Sequence, residues 1–297
     1  MGEAMKVGMV GCDRIGHGPA WALMLTEPQH AGIGMRVAKV WDRDKEQAKE
    51  LAELVGAVVV DDRREVADGT EGILITELFP DRYLELARPF LEAGRRVFFN
   101  RPFAGSVADA REIVRLAREH GAKIYSASAL YHTPAGEAAR ARLDEIAPVK
   151  LFTMTGPTDH IQFYLPHQIA AVTSVLGPGI ERVQAVKLTP REDDPRLSDG
   201  PVIVYVEYAS GERGVMEMMG PGVDSYAFVL KMFGAKGEAD EVRFEVSYVP
   251  MLETMREFFA TGVEPVAAET LVEMTAVFYG ALQSEKDGGK VVEIGGQ

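Results

Sequence analysis

The chain of 297 residues has almost no cysteine, and with Cys12 alone it can form no internal disulfide, which agrees with a reducing compartment. Cys12 itself reads as a small buried residue in a tight turn, since no adjacent base is evident that would make it a thiolate. No apolar run approaches the roughly 18 residues of a membrane span. The start is a few polar residues leading into the strand-like VGMVG, so a cytoplasmic protein is expected. Positive charge is also scarce. Thirty-two Lys and Arg face 45 Asp and Glu, a net charge of -13, and such a surface repels phosphate on balance, which argues against a nucleic-acid partner. Low-complexity tracts and internal repeats are lacking too, so a disordered or solenoid architecture is set aside.

What is present is the composition of a globular protein, 46% hydrophobic and 26% charged, long enough for two ordinary domains. In the first 125 residues short apolar runs alternate with helical periodicity. Val7 to Val10 is a strand followed by a glycine-bearing turn, Gly11 to Gly18, and a helix from Pro19 to Leu25. Arg36 to Trp41, Ala57 to Val60, Gly72 to Thr76, Arg96 to Phe99 and Lys123 to Ser126 are further strands. Helices are expected over Asp44 to Val55, Asp81 to Ala93 and Val107 to His120. Alternation of this kind predicts a doubly wound parallel sheet covered on both faces, with ligands bound at the carboxyl ends of its strands. The positions to watch are therefore the Gly11 to Gly18 turn, Asp42, Thr76 and Glu77, and Asn100 to Pro102.

Beyond about residue 125 the pattern changes. Pro166 to Leu176 is helical, and Arg182 to Leu188, Val202 to Tyr208, Gly214 to Met218 and Ala227 to Phe233 are strands with few helices between them. This predicts an α+β domain with a largely antiparallel open sheet, whose free face suits an oligomer interface. The polar segment Pro190 to Gly200 reads as a surface loop, and helical stretches from Met251 to Phe259 and from Glu269 to Gln283 close the chain. The expected domains are 1–125, Rossmann-type and dinucleotide-binding, and 126–297, for substrate and oligomerisation.

Several stretches taken in order resemble the Gfo/Idh/MocA oxidoreductases. VGMVGCDRIG is similar to that family's first strand and phosphate turn, and WDRDKEQAKEL to its second strand and helix. ILITELFPDRYLELARPFLEAGRRVFFNRPFAGS is similar to the stretch ending in a Glu-Lys-Pro triplet, LPHQIAAVTSVLG to the helix with a His-x-x-Asp pattern, and KMFGAKGEADE to a Gly-x-x-Gly hairpin. The resemblance implies an NAD(P)-dependent oxidoreductase that transfers a hydride between nicotinamide and a sugar-like or cyclic polyol or ketone. NAD or NADP would lie on Gly11, Cys12, Asp13, Arg14, Ile15, Gly16, Asp42, Arg43, Thr76, Glu77, Asn100 and Arg101. The chemistry would fall to His167, Arg101 and Tyr164. No metal is expected, since the cluster of His160, Tyr164 and His167 has only Asp159 as a nearby carboxylate and is interrupted by Pro166. A homodimer or homotetramer through the second sheet is expected, with a small-molecule substrate and no membrane.

The departures from the pattern bear on chemistry. In a G-x-G-x-x-G turn the second glycine lets the backbone approach the pyrophosphate. Here Asp13 stands in its place, adding bulk and negative charge. Asp42 comes 26 residues after Gly16, beyond the usual spacing of about 20, and Arg43 beside it suits a 2'-phosphate. The triplet reads Asn100, Arg101, Pro102, and an arginine binds hydroxyls or carboxylates but is a poor proton shuttle. His167 is the natural general acid/base, yet Ala170 and Phe163 occupy the two positions where acids are usual. Tyr83 replaces a histidine, and Tyr131 and His132 replace an arginine-aromatic pair. The alternative to an oxidoreductase is a divergent non-redox homologue, a cofactor-free lyase or isomerase or a binding or regulatory protein.

Overall fold

The computed structural model describes residues 3–157, 161–188, 201–219, 227–236 and 239–295. It divides into two compact units, Met1–Ala127 with Tyr248–Val272, and Ser128–Ser247 with Glu273–Gln297. A single boundary after residue 125 therefore misses the return of the chain to the first unit. The anchor of that return is visible at Gly72, where a Cβ would lie 2.1 Å from the ring of Phe259. The Phe259 ring of the returning helix packs directly on the backbone of the strand there.

The first unit is built from β1 (Met5–Val10), α1 (His17–Met24), β2 (Met35–Trp41), α2 (Lys45–Val55), β3 (Val58–Val59), β4 (Gly72–Ile75), α3 (Tyr83–Glu92), β5 (Arg96–Phe99), α4 (Val107–His120) and β6 (Lys123–Ser126). All six strands run parallel in the order β3-β2-β1-β4-β5-β6. The central strands β1 and β4 are apolar because both faces are covered: Val7, Met9 and Val10 of β1 and Ile73, Leu74 and Ile75 of β4 are buried. Local signals set the helix ends. Asp44 accepts the N–H of Glu46 at the start of α2, Ser106 accepts that of Asp109 at the start of α4, and Gly56 and Gly121 end these helices in the left-handed conformation. Two expected helices are displaced at their starts. The first begins at His17, not Pro19, and the stretch expected from Asp81 opens as a 3-10 turn, Pro80–Arg82, before α3.

The second unit follows with α5 (Pro134–Ala141), α6 (Leu143–Ile146), β7 (Val149–Gly156), α7 (Ile161–Leu176), β8 (Ile180–Lys187), β9 (Val202–Tyr208), β10 (Arg213–Met218), β11 (Phe228–Gly234) and β12 (Ala239–Phe244). The chain then forms α8 (Val249–Thr261) of the first unit, α9 (Ala268–Lys286), within which the division falls, and β13 (Val292–Glu293). The second sheet has the order β12-β11-β7-β10-β9-β8-β13. It is antiparallel except where β10 runs parallel to β7. β7 pairs on both its sides, and its alternation is broken by the exposed pair Lys150 and Leu151, so period 2 does not mark it in the sequence. Pro166 does not interrupt the helix but lies inside α7. It forgoes one backbone hydrogen bond there, a loss offset by the burial of Leu165, Ile169, Ala170 and Val172 on the same helix. The loop Pro190 to Gly200 lies outside the described residues, as do His160 and Asp159.

On β9 the alternation is regular: Val202, Val204, Val206 and Tyr208 are buried, while Tyr205 and Glu207 are exposed. Leu151 and Phe233 are exposed as well. One face of this sheet is thus packed and the other open.

Candidate functional site

In the first unit the strand order reverses between β1 and β4, and the carboxyl ends of these strands border the crevice where such sheets bind ligands. The local structure there is tightly specified. Gly11 has a φ of +99°, and a Cβ on it would lie 2.3 Å from the backbone nitrogen of Glu77, so only glycine fits. Thr76 donates its hydroxyl to the carbonyl of Gly11 at 2.7 Å, and a Cβ on Gly18 would meet that hydroxyl at 2.5 Å. Gly18, two residues past the three-glycine pattern, is therefore the glycine that lets α1 lie close to the end of β4.

The turn satisfies most of its own donors. Gly11 N–H binds Trp41 O, Cys12 N–H binds Asp42 Oδ2 at 2.5 Å, and Arg14 N–H binds Gln47 Oε1. Ile15 N–H binds Asp13 Oδ1 at 3.0 Å, and Gly16 N–H binds Asp13 O at 2.8 Å. Asp13 thus folds its carboxylate onto its own turn. It needs no glycine for backbone reasons, since among the described residues no non-glycine has a positive φ. Arg14 is turned away to Glu50 at 2.5 and 2.7 Å, and Ile15 is exposed. Asp42, 6% exposed, also accepts the N–H of Asp44 and so ties β2 to the turn. Arg43 points to Glu85 at 3.9 Å. Burial pushes the Glu77 carboxyl up against the pull of Arg82, 3.1 Å away, and Asp42 and Asp13 push it further the same way. Burial likewise raises the Cys12 thiol, so it holds no thiolate at neutral pH.

After β5 the Asn100-Arg101 pair meets a residue that pattern reasoning passed over. His17 Nε2 lies 3.3 Å from Arg101 Nη2, and His17 Nδ1 lies 3.5 Å from Asn100 Nδ2. The imidazole stacks on Trp21 with centroids 5.6 Å apart and meets Tyr248 edge-on at 5.9 Å. Burial, and then the charge of Arg101, lower His17 to about 4. The ring is therefore neutral at physiological pH and accepts from the guanidinium. Its position directly after Gly16, the last glycine of the three-glycine pattern, was the available signal.

The second unit holds His167 and Tyr164 on α7, their rings 6.4 Å apart, with Phe228 of β11 6.0 Å from the imidazole. A partner of His167 is Ser128, whose Oγ is 2.5 Å from Nδ1, the imidazole tautomer deciding which of the two donates; the same Oγ accepts the N–H of Leu130. Ser128 lies just past the end of β6, and the strand-end rule applied to β6 would have found it. Beside it the rings of Tyr131 and His132 lie tilted to each other, their centroids 5.0 Å apart, and burial lowers His132 to about 4. Tyr83, where a histidine was usual, is buried and donates to Glu77 O. Among the described residues no group of three or more His, Cys, Asp or Glu could hold a metal ion, and no helix is long and apolar enough to cross a membrane.

This crevice at the carboxyl ends of an all-parallel sheet in the order β3-β2-β1-β4-β5-β6 defines the first unit as a Rossmann-type domain. Residues 5–128 match the Gfo/Idh/MocA family, described as an oxidoreductase family with an NAD-binding Rossmann fold. Solved structures share the fold along nearly the whole chain. GenD2 from gentamicin A biosynthesis, in complex with NAD, has a TM-score of 0.77 at 16% identity, covering 99% of this chain and 97% of its own. The myo-inositol dehydrogenase of Corynebacterium glutamicum has a TM-score of 0.75 at 18% identity, covering 98% of both chains. The WlbA dehydrogenase of Bordetella pertussis, in complex with NADH and UDP-GlcNAcA, has a TM-score of 0.77 at 14% identity, again covering 98% of both. No curated protein matches the chain in sequence.

Proposed function

We propose that the protein is an NAD(P)-dependent oxidoreductase transferring a hydride between nicotinamide and a sugar-like or cyclic polyol or ketone. The observation that carries this is the gathering of the Gly11–Gly16 turn, Asp42, Thr76 and Asn100 at the strand-end crevice of the first unit. These residues fit a dinucleotide. The turn leads into a helix N-terminus, and the strand-end acid suits ribose hydroxyls. The negative Asp42 disfavours a 2'-phosphate, and Arg43 is drawn toward Glu85, so NAD is preferred to NADP. Binding requires the turn to give up internal hydrogen bonds: the Asp13 carboxylate must leave the Ile15 N–H, and the Gln47 side chain the Arg14 N–H, to free them for pyrophosphate.

When bound, NAD supplies the hydride acceptor. His167 takes the alcohol proton, Tyr164 assists it, and Arg101 holds a substrate or cofactor oxygen as a fixed positive charge whose aim is set by His17. The dehydrogenases of similar fold, one acting on myo-inositol by name and one solved with NADH and UDP-GlcNAcA, support the substrate class. The open sheet face with Leu151, Tyr205 and Phe233 suits a homodimer or homotetramer. The test is oxidation of a panel of cyclic polyols with NAD and NADP: turnover by the native chain and a loss of about 10²- to 10⁴-fold in His167→Ala is expected, and unchanged turnover in that variant removes His167 from the chemistry. One observation favours a second reading, a non-redox homologue. The internal capture of the turn's N–H groups by Asp13 and Gln47 is what a site that has given up pyrophosphate would show.

A further inference from the structure

A general base works only if the nitrogen facing the substrate lacks a proton, and in an imidazole that is decided by what the other nitrogen does. The carboxylates expected to do this beside His167 are replaced by Phe163 and Ala170. Ser128 Oγ fills the gap at 2.5 Å from Nδ1. Ser128 is 2% exposed, so water does not compete for it, and the N–H of Leu130 at 3.1 Å fixes its oxygen. Phe228 and Tyr164 pack against the ring, which limits its rotation.

We propose that Ser128 is the positioning residue of His167: its Oγ accepts a hydrogen bond from Nδ1–H and so leaves Nε2 as the base. This rests on the oxidoreductase reading for its consequence, though not for its geometry. In the alcohol-to-ketone direction the carbinol C–H bond breaks and its electron pair leaves as hydride to NAD, which is reduced. The O–H bond breaks with its proton passing to Nε2, and the C=O bond forms. The resulting imidazolium is a stronger donor to Ser128 Oγ than the neutral ring, so the contact strengthens as the reaction proceeds, which is what lowers a barrier.

The experiment is a long-range proton–nitrogen NMR spectrum of the histidine side chains in the native chain, with no cofactor or substrate added. His167→Ala assigns the signals, and Ser128→Ala and Ser128→Thr are compared with native. Native His167 is expected in the Nδ1–H form, the alanine variant shifted toward the Nε2–H form, and the threonine variant returned to native. A native ring in the Nε2–H form, or no shift on removing the hydroxyl, overturns the proposal. Should Ser128→Ala fail to fold, Ser128→Cys, a weaker acceptor of similar size, is expected to show the same shift in part, and its absence counts equally against it. On a polyol turned over by the native chain, Ser128→Ala is expected to lower kcat by about 10- to 100-fold with KM little changed, and Ser128→Thr to recover most of it. A native Nδ1–H spectrum without turnover on any polyol would sink the oxidoreductase reading and leave the Ser128 contact standing.

Discussion

Asp13 offers the sharpest perturbation of the cofactor site. Its carboxylate accepts the Ile15 N–H at 3.0 Å and its carbonyl accepts that of Gly16, so the side chain already occupies a donor that a pyrophosphate would use. A dinucleotide brings two negative charges toward this third one. At about 4–5 Å and a water-like dielectric each pair costs roughly 1 kcal/mol or a little less, so the repulsion totals about 1–2 kcal/mol. Asp13→Gly removes the charge and frees the N–H, and is expected to tighten NADH binding by about 5- to 30-fold, at a cost of roughly 0.5–1 kcal/mol in stability from the added backbone freedom. Asp13→Asn keeps the bulk and the local hydrogen bond but not the charge, and is expected to recover only part of the gain. Dissociation constants from nicotinamide fluorescence at fixed ionic strength measure both. If neither variant binds more tightly than native, Asp13 does not oppose the pyrophosphate and the reasoning about this turn is wrong.

Other perturbations probe the scaffold and the buried histidines. Gly72→Ala drives a methyl group into the Phe259 ring and is expected to cost about 1–3 kcal/mol in urea denaturation; an unchanged midpoint would mean that α8 yields freely. His17 and His132, each lowered to about 4 from 6.5, stay neutral in the fold while the unfolded chain takes up a proton. Stability contributed by each is therefore full above pH 6.5 and is lost as pH falls toward 4, by at most about 3 kcal/mol apiece. His132→Asn is expected to flatten the fall of melting temperature over that window. Arg101→Gln removes the neighbouring charge and is expected to raise the His17 pKa, read by the pH dependence of its NMR signals, whereas an unmoved titration would show that burial alone sets it.

Most of the fold was legible because its signals are local. Apolar runs of four residues in β1 and β4, the Ser106 and Asp44 caps, and the glycines ending α2 and α4 act within a few positions of themselves. β7 was not legible, since its alternation is broken by Lys150 and Leu151, both exposed. The return of Tyr248–Val272 to the first unit is a long-range fact, carried by packing such as Gly72 against Phe259 that no window of sequence contains. The site divides in the same way. The turn, Asp42, Thr76 and Arg101 stand at strand ends and could be found by position. His17 and Ser128 also stand beside such positions, after Gly16 and just past β6, but what they do depends on partners 84 and 39 residues away, Arg101 and His167.

The central claim is tested most directly by titrating the native protein with NADH and NADPH while following nicotinamide fluorescence and melting temperature, because a ligand that binds only the folded state raises the melting point. Saturable binding of NADH in the micromolar range, tighter than NADPH, is the predicted result. Absence of binding and of any thermal shift at millimolar concentrations of both would contradict it and leave a non-redox protein on an inherited Rossmann scaffold.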